Sequence, residues 1–193
     1  MAQPDKPPQR AADKIRETAR ELFYRDGIRA VGVDEIVAKA GATKPSLYRT
    51  YKSKDELAAA VLREGAATFW SRFDAAVAAH PGDPRAQVLA YLEGLSERAQ
   101  QSEYRGCPLS NAAVEYPEHG HPARTTAQDH KAEVRERLRA MAAEMGADDA
   151  NGLADALLLL LEGAFLTTQL FDQDRPSTEV ARAAARLIDA YTR

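Results

Sequence analysis

The stretch from Val33 to Glu56, VDEIVAKAGATKPSLYRTYKSKDE, constrains the chain more than any other, because it encodes two short helices, a tight turn between them and the capped start of a third. Val33, Ile36, Val37 and Ala40 recur every three or four residues and form one buried stripe. Asp34 and Glu35 fall in the first turn of that helix, where negative charge suits the positive end of the helix dipole. Gly41 ends it, since glycine takes the left-handed conformation that a helix terminus needs. Thr43 is the N-cap of the next helix, with Lys44 and Pro45 in its opening turn, where a missing backbone N–H costs little. Leu47 is the one aliphatic anchor between Pro45 and Tyr51. The residues around it, Lys44, Ser46, Tyr48, Arg49, Thr50 and Tyr51, are too polar to be core. Ser53 and Glu56 then form an S-x-x-E capping box that starts another helix.

Two helices joined by a short glycine-containing turn form the helix-turn-helix pattern, whose second helix enters the DNA major groove. Lys44, Arg49, Lys52 and Lys54 lie where phosphates would be, although a helical hairpin with a solvated basic face has the same spacing. The segment GIRAVGVDEIVAKAGATKPSLYRTYKSKDEL resembles the DNA-binding signature of the TetR family of bacterial repressors. The likeness runs from Ile15 to Val61 and centres on A-G-x-x-K-x-x-L-Y-x-x-Y-x-x-K. It implies that Thr43, Lys44, Ser46, Tyr48, Arg49 and Tyr51 lie at or near the groove, with Lys54 on the DNA backbone at the start of the next helix. This chain departs from the family in having Val31 and Gly32 before the first helix of the pair, where a Thr or Ser often caps the helix and touches phosphate. Glycine caps at a cost of a few tenths of a kcal/mol relative to Ser. Arg29 is the candidate to supply the missing phosphate contact.

Net charge is -3 over 193 residues, which would oppose DNA binding if it were evenly spread. Residues 1 to 54 hold twelve Lys or Arg against seven Asp or Glu, about +5, and the other 139 hold fourteen against twenty-two, about -8. Attraction for phosphate is thus confined to one segment. Hydrophobic content of 45% with 28% charge is ordinary for a globular protein. A single cysteine, Cys107, excludes an intrachain disulfide and is compatible with a reducing cytoplasm. The opening MAQPDKPPQR has no apolar stretch, so no secretory signal is expected, and its prolines predict a disordered arm over residues 1–10. The longest apolar run, Ala156 to Leu161, is broken by Glu162 and is too short to cross a bilayer.

No stretch alternates as a strand does, and the expected fold is all-α. A helix-turn-helix DNA-binding domain over residues 11–54 is followed by a helical ligand-binding and dimerisation domain over 55–193. The first helix spans about Ala11 to Arg25 on a stripe of Ile15, Ala19, Leu22 and Phe23. The capped helix continues to about Ala79 through Leu57, Val61, Phe69, Trp70, Phe73 and Val77. A fifth runs from Asp83–Pro84 to about Ser102, a short sixth from Pro108 to Tyr116, and a charged seventh from Pro122 to Met145 with His130, Val134, Leu138 and Met141 on one face. From Asp149 the sequence GLADALLLLLEGAFLTTQLF is apolar nearly all round and must be buried on more than one side. With a last helix from about Ser177 to Tyr191 it can close the monomer core, or it can build a four-helix interface between two copies through Leu157, Leu161, Phe165, Leu187, Ile188 and Tyr191. The resemblance implies the homodimer.

In the body, RGCPLSNAAVEYP resembles a segment that lies beside the ligand cavity in one branch of the family. The ligand pocket is expected to include Phe69, Trp70, Phe73, Leu92, Cys107, Asn111 and Phe165. Cys107, near a helix start, is either a small packing residue or a thiol reactive toward electrophiles. Asn111 either meets a ligand or ties down the loop, and Trp70 either borders the cavity or is inert packing. Glu115, Glu118, His119, His121, Asp129 and His130 crowd together without metal-ligand spacing, so no metal is expected, and His121 before Pro122 reads as a helix start. No nucleophile-and-base pattern, phosphate loop or dinucleotide fingerprint points to an enzyme or a cofactor. A helical enzyme or scaffold without DNA binding is the alternative. The reading is a cytoplasmic, TetR-like transcriptional regulator. Its partners are a double-stranded DNA operator, an unidentified small-molecule inducer and a second copy of itself, with no membrane.

Overall fold

The computed structural model describes residues 10–171 and 174–193, and among them all regular structure is helical. The arm expected over residues 1–10 lies outside the described residues except for Arg10, which precedes the first helix. Helix α1 (Ala11–Asp26) buries Ile15, Ala19, Leu22 and Phe23, and α2 (Val33–Lys39) buries Ile36 and Val37. The end of α2 is a Schellman turn: Gly41 has φ of 61°, Ala42 donates to Val37 O at 2.9 Å and Gly41 to Ala38 O at 3.2 Å. Helix α3 (Lys44–Tyr48) is only five residues long and starts on Thr43, whose Oγ1 accepts from Ser46 N.

Helix α4 (Lys54–Ala79) is 26 residues, about 39 Å at 1.5 Å per residue. Its start is a displaced capping box. Ser53 Oγ accepts from Glu56 N at 3.1 Å, but the Glu56 carboxylate reaches past the cap to take the Lys52 N–H at 2.6 Å. The body adds α5 (Pro84–Arg98), α6 (Pro108–Glu115), α7 (Pro122–Glu144) and α8 (Ala150–Leu170), then a 3-10 turn (Pro176–Glu179) leading into α9 (Val180–Tyr191). Asp83 and Asp149 cap α5 and α8 through Ala86 N and Gly152 N, both at 2.9 Å. The last helix begins three residues later than its periodicity predicts, because Pro176 opens a tighter turn first.

α1 packs on α4 and on the α2–α3 pair; α7 lies against α4, α6 and α8; and α9 closes on α5 and α8. Helix α8 has the length and composition to cross a membrane, contrary to the expectation from its longest unbroken apolar run. In this fold its Leu153, Leu157, Leu161 and Phe165 pack inside the body, and Glu162 forms an ion pair with Lys131 of α7 at 2.6 Å.

Candidate functional site

Leu47, completely buried, fixes α3 to the head and leaves the rest of that helix outside. Thr43, Lys44, Tyr48, Arg49 and Thr50 are exposed and Ser46 is half-buried. Thr43 Oγ1 lies 3.0 Å from Ser46 Oγ, and Lys44 pairs with Asp34 at 2.8 Å across the two helices. Three residues expected at the DNA have partners within the protein. Tyr51 turns inward and is 7% exposed, because its ring completes the core under α3. Lys54 donates to the Ile28 and Val31 carbonyls at 2.9 and 3.0 Å, satisfying acceptors that the turn between α1 and α2 leaves open. Arg29 faces the body: its N–H donates to the Glu115 carboxylate and its guanidinium to the Glu115 carbonyl, both at 2.9 Å, with the Tyr116 ring 5.6 Å away.

These contacts make a joint between head and body at the end of α6. The Tyr116 ring stacks on His121 at 3.8 Å, and His121 Nε2 lies 3.6 Å from Asp55 in the first turn of α4. His121 also caps α7, its Nδ1 accepting from Ala123 N, which is the helix-start role its position before Pro122 predicts. A second tie runs through Tyr24, whose hydroxyl accepts from Arg105 N at 2.7 Å and donates to Gly106 O at 3.2 Å.

Behind the joint is a cavity of about 390 Å³ between α1, α4, α5, α6 and the segment before α6. Phe69, Cys107, Asn111 and Phe165 line it. Trp70, Phe73 and Leu92, expected there, do not. Phe73 and Leu92 are buried in the core, and Trp70 points toward α7, where its indole N–H meets the Glu133 carboxylate at 3.3 Å. One helical step separates Phe69 from Trp70, which is enough to place them on different faces. Asn111 both lines the cavity and holds the loop, donating to Arg105 O at 2.9 Å. Cys107 is buried with the Lys131 ammonium 3.4 Å from its sulfur; that ammonium also pairs with Glu162 and lies 5.2 Å from the Phe165 ring. His130 is buried against Phe69 and Trp70, and desolvation lowers its pKa to about 4. Among the described residues, no group of three or more His, Cys, Asp or Glu converges as a metal site.

The outer face of α8 carries a second apolar stripe. Leu159, Leu166 and Leu170 are 73%, 57% and 65% exposed and share a face with Gly163. Beside them Leu160 and Leu187 border a shallow groove between α8 and α9. The residues expected at a dimer interface divide differently. Leu157, Leu161, Phe165 and Ile188 are monomer core, because the periodicity of an all-apolar helix does not say which side faces inward; Leu187 and Tyr191 are partly exposed.

Residues 15–61 match the family described as bacterial regulatory proteins, tetR family, and residues 84–183 match the C-terminal domain described as transcriptional regulator LmrA/YxaF-like. This chain belongs to the TetR family. A TetR-family transcriptional regulator from Streptomyces coelicolor superposes with a TM-score of 0.89 at 26% identity, covering 95% of this chain and 97% of that one. A TetR-type regulator from Streptomyces avermitilis gives 0.83 at 31% identity, covering 95% and 98%. Among curated relatives, an HTH-type transcriptional regulator from the lacX 3′ region of Lactococcus lactis is 24% identical over 104 residues, 53% of each chain. The match thus spans about half the length of that relative. The TetR-family chain is a transcriptional regulator and not an enzyme.

Several residues that shape this TetR-family protein were not singled out from the sequence. Glu115 joins the cavity wall to the head, and Tyr24, Tyr91, Tyr104 and Arg98 face the cavity. Each stands alone in the sequence, and only the fold brings them together. A polar residue on an otherwise apolar helix face, such as Arg98 one turn after Leu95, was the available signal.

Proposed function

We propose that this TetR-family regulator is a repressor that binds an inverted-repeat operator as a homodimer and leaves it when a small molecule occupies the cavity. Residues 11–54 form the DNA-binding unit in this reading, and 55–193 the ligand-binding and dimerisation unit. The observation that carries it is α3, where one buried leucine holds a helix that leaves Lys44 and Tyr48 exposed, with the exposed Thr43 cap at its N-terminus. Thr43, Ser46 and Tyr48 read or position on the groove, Arg49 takes phosphate, and Lys44 exchanges Asp34 for phosphate on binding. Arg29 and Lys54 support the head from behind rather than touching DNA. The exposed α8 stripe supports the dimer, and the cavity, whose volume falls in the range of small-molecule sites, supports the inducer.

The test is fluorescence anisotropy with operator DNA recovered by selection from a random library, titrated over a range of salt. Arg49→Ala should weaken binding and lower the salt slope by about one. Wild-type affinity and slope in that variant refute the assignment of α3.

A further inference from the structure

The cavity wall holds a set of polar groups with no protein partner, and together they define the chemistry of what can bind. Of its three carboxylates, Glu64 pairs with Arg16, and Glu115 accepts from Arg29. Glu103 is exposed. Of its three guanidiniums, Arg20 pairs with Glu17 on the outer surface at 2.5 Å. Arg98 is different. Its Nε is buried without a hydrogen-bond partner among the described residues, and its guanidinium lies 5.7 Å from the Tyr91 ring. Such a group carries an unmet desolvation cost that a bound acceptor would relieve.

Tyr91 and Tyr104 join it. All of them line the same cavity as Arg72, and the charges of Arg98 and Arg72 bear on both phenols. Burial drives both phenols above the usual tyrosine range, so each remains a neutral O–H donor at physiological pH. Tyr24 is already committed to Arg105 and Gly106, whereas neither Tyr91 nor Tyr104 has a protein partner for its hydroxyl among the described residues. The wall also carries Thr68, Gln101 and Asn111, and its apolar part includes Phe23, Leu62, Phe69, Leu109 and Phe165.

We propose that the cavity takes an organic anion, a carboxylate on an apolar or aromatic body, with its oxygens on Arg98, Tyr91 and Tyr104 and its body against the phenylalanines. The proposal rests on the cavity being the inducer site. A guanidinium whose Nε has no acceptor among the described residues, beside two neutral hydroxyl donors, matches a carboxylate, which is acceptor-only. A neutral amide would leave one donor facing its own N–H group, and a quaternary ammonium would meet two arginines. Arg72, exposed on α4, adds positive potential at the mouth.

The test uses the full chain and three probes of one shape: 2-naphthoate, 2-naphthamide and (2-naphthylmethyl)trimethylammonium. Isothermal titration calorimetry should give naphthoate an affinity at least about tenfold above the amide, the worth of a charge-assisted hydrogen bond. Arg98→Met, which keeps the stem, should lower naphthoate affinity about tenfold or more and leave the amide within about twofold. Arg72→Met is the companion variant; at an exposed site it cannot unfold the body, and it should weaken naphthoate alone. Equal affinities for acid and amide, with either one displacing operator, overturn the anion while the inducer site stands. Preference for the ammonium does the same. If no probe binds the folded protein, both the anion and the inducer-site reading fall.

Discussion

Replacing Leu159 or Leu166 by Asp should convert the proposed dimer to a folded monomer, and the magnitude follows from exposure. Burying a whole leucine side chain is worth about 1.5–3 kcal/mol. Leu159 and Leu166 are 73% and 57% exposed in the single chain, so each has about 1–2 kcal/mol still to gain. A two-fold interface presents every residue twice, so even Leu159→Ala costs about 2–4 kcal/mol per dimer. Ordering and imperfect packing consume part of that, so the lower end is the working figure, about a thirtyfold rise in dissociation constant. Asp adds the desolvation of two charges and should abolish association at micromolar concentration. Sedimentation velocity over a dilution series reads the outcome, and circular dichroism confirms that the helices remain. The contrast is Leu161→Asp, two residues beyond Leu159 on the opposite side of the helix and 3% exposed, which should unfold the body instead. The assignment of the interface is refuted if Leu159→Asp and Leu166→Asp sediment as dimers while staying helical.

Gly106→Ala should lower Tm by about 4 to 8 °C, because a Cβ there would lie 2.6 Å from the Phe165 carbonyl oxygen at φ of 71°; two such strains cost about 2 kcal/mol or more. Differential scanning calorimetry checks it, and an unchanged Tm would mean that α8 moves freely against the segment before α6. His130 stays neutral when folded, with a pKa of about 4, but gains a proton in the unfolded chain below about pH 6.5. Its share of stability is therefore intact above that pH and is lost progressively as pH falls toward 4. Urea titrations at pH 7 and pH 5 should show a smaller loss in His130→Leu than in the parent, and equal losses would contradict the shift. Glu115→Gln keeps the side chain's shape but weakens its hold on the Arg29 N–H. It should leave operator affinity within a few fold and reduce the loss of affinity caused by an inducer, measured by anisotropy with and without ligand; full inducer response would show that the joint transmits nothing.

The head was legible because its signals are local. Gly41, Thr43 and Ser53 each act within four residues, so a linear reading finds the turn, the cap and the next helix, as the structure has them. The linear reading stopped short where a side chain's partner is distant in sequence. Lys54 and Arg29 carry the charge expected of phosphate ligands, yet their partners are carbonyls and a carboxylate 23 to 86 positions away. Periodicity also failed on α8 for a physical reason. When leucine occupies every face, the moment that would distinguish core from interface vanishes, and only the placement of α7 and α9 decides that Leu161 is inside and Leu159 outside. Of the residues expected in the pocket, Phe69, Cys107, Asn111 and Phe165 line the cavity, whereas Arg98, Tyr91 and Tyr104 come to it only through the fold.

The position of Glu115 bears on how a ligand would reach the DNA. A ligand acts on a remote site only by its different affinity for two arrangements, so the transmitting element must touch both sites. A long α4 alone meets that requirement in part: tilting a helix of about 39 Å by roughly 10° moves one end by about 7 Å, enough to disturb the heads of the proposed dimer, which would have to match grooves about 34 to 36 Å apart. Yet α4 is not free at its head end. The Lys54 ammonium holds the turn before α2, and Asp55 faces His121. Glu115 closes the same circuit from the cavity side, with its carboxylate against Gly27 and the Arg29 N–H and its own helix forming the cavity wall. Head, α4 start and α6 end are therefore tied together, and a ligand that shifted α6 would displace α2 and α3 without any change inside the head. If that coupling is worth about 1–3 kcal/mol, operator affinity falls by about 5 to 150-fold, and operator must weaken the ligand by the same factor.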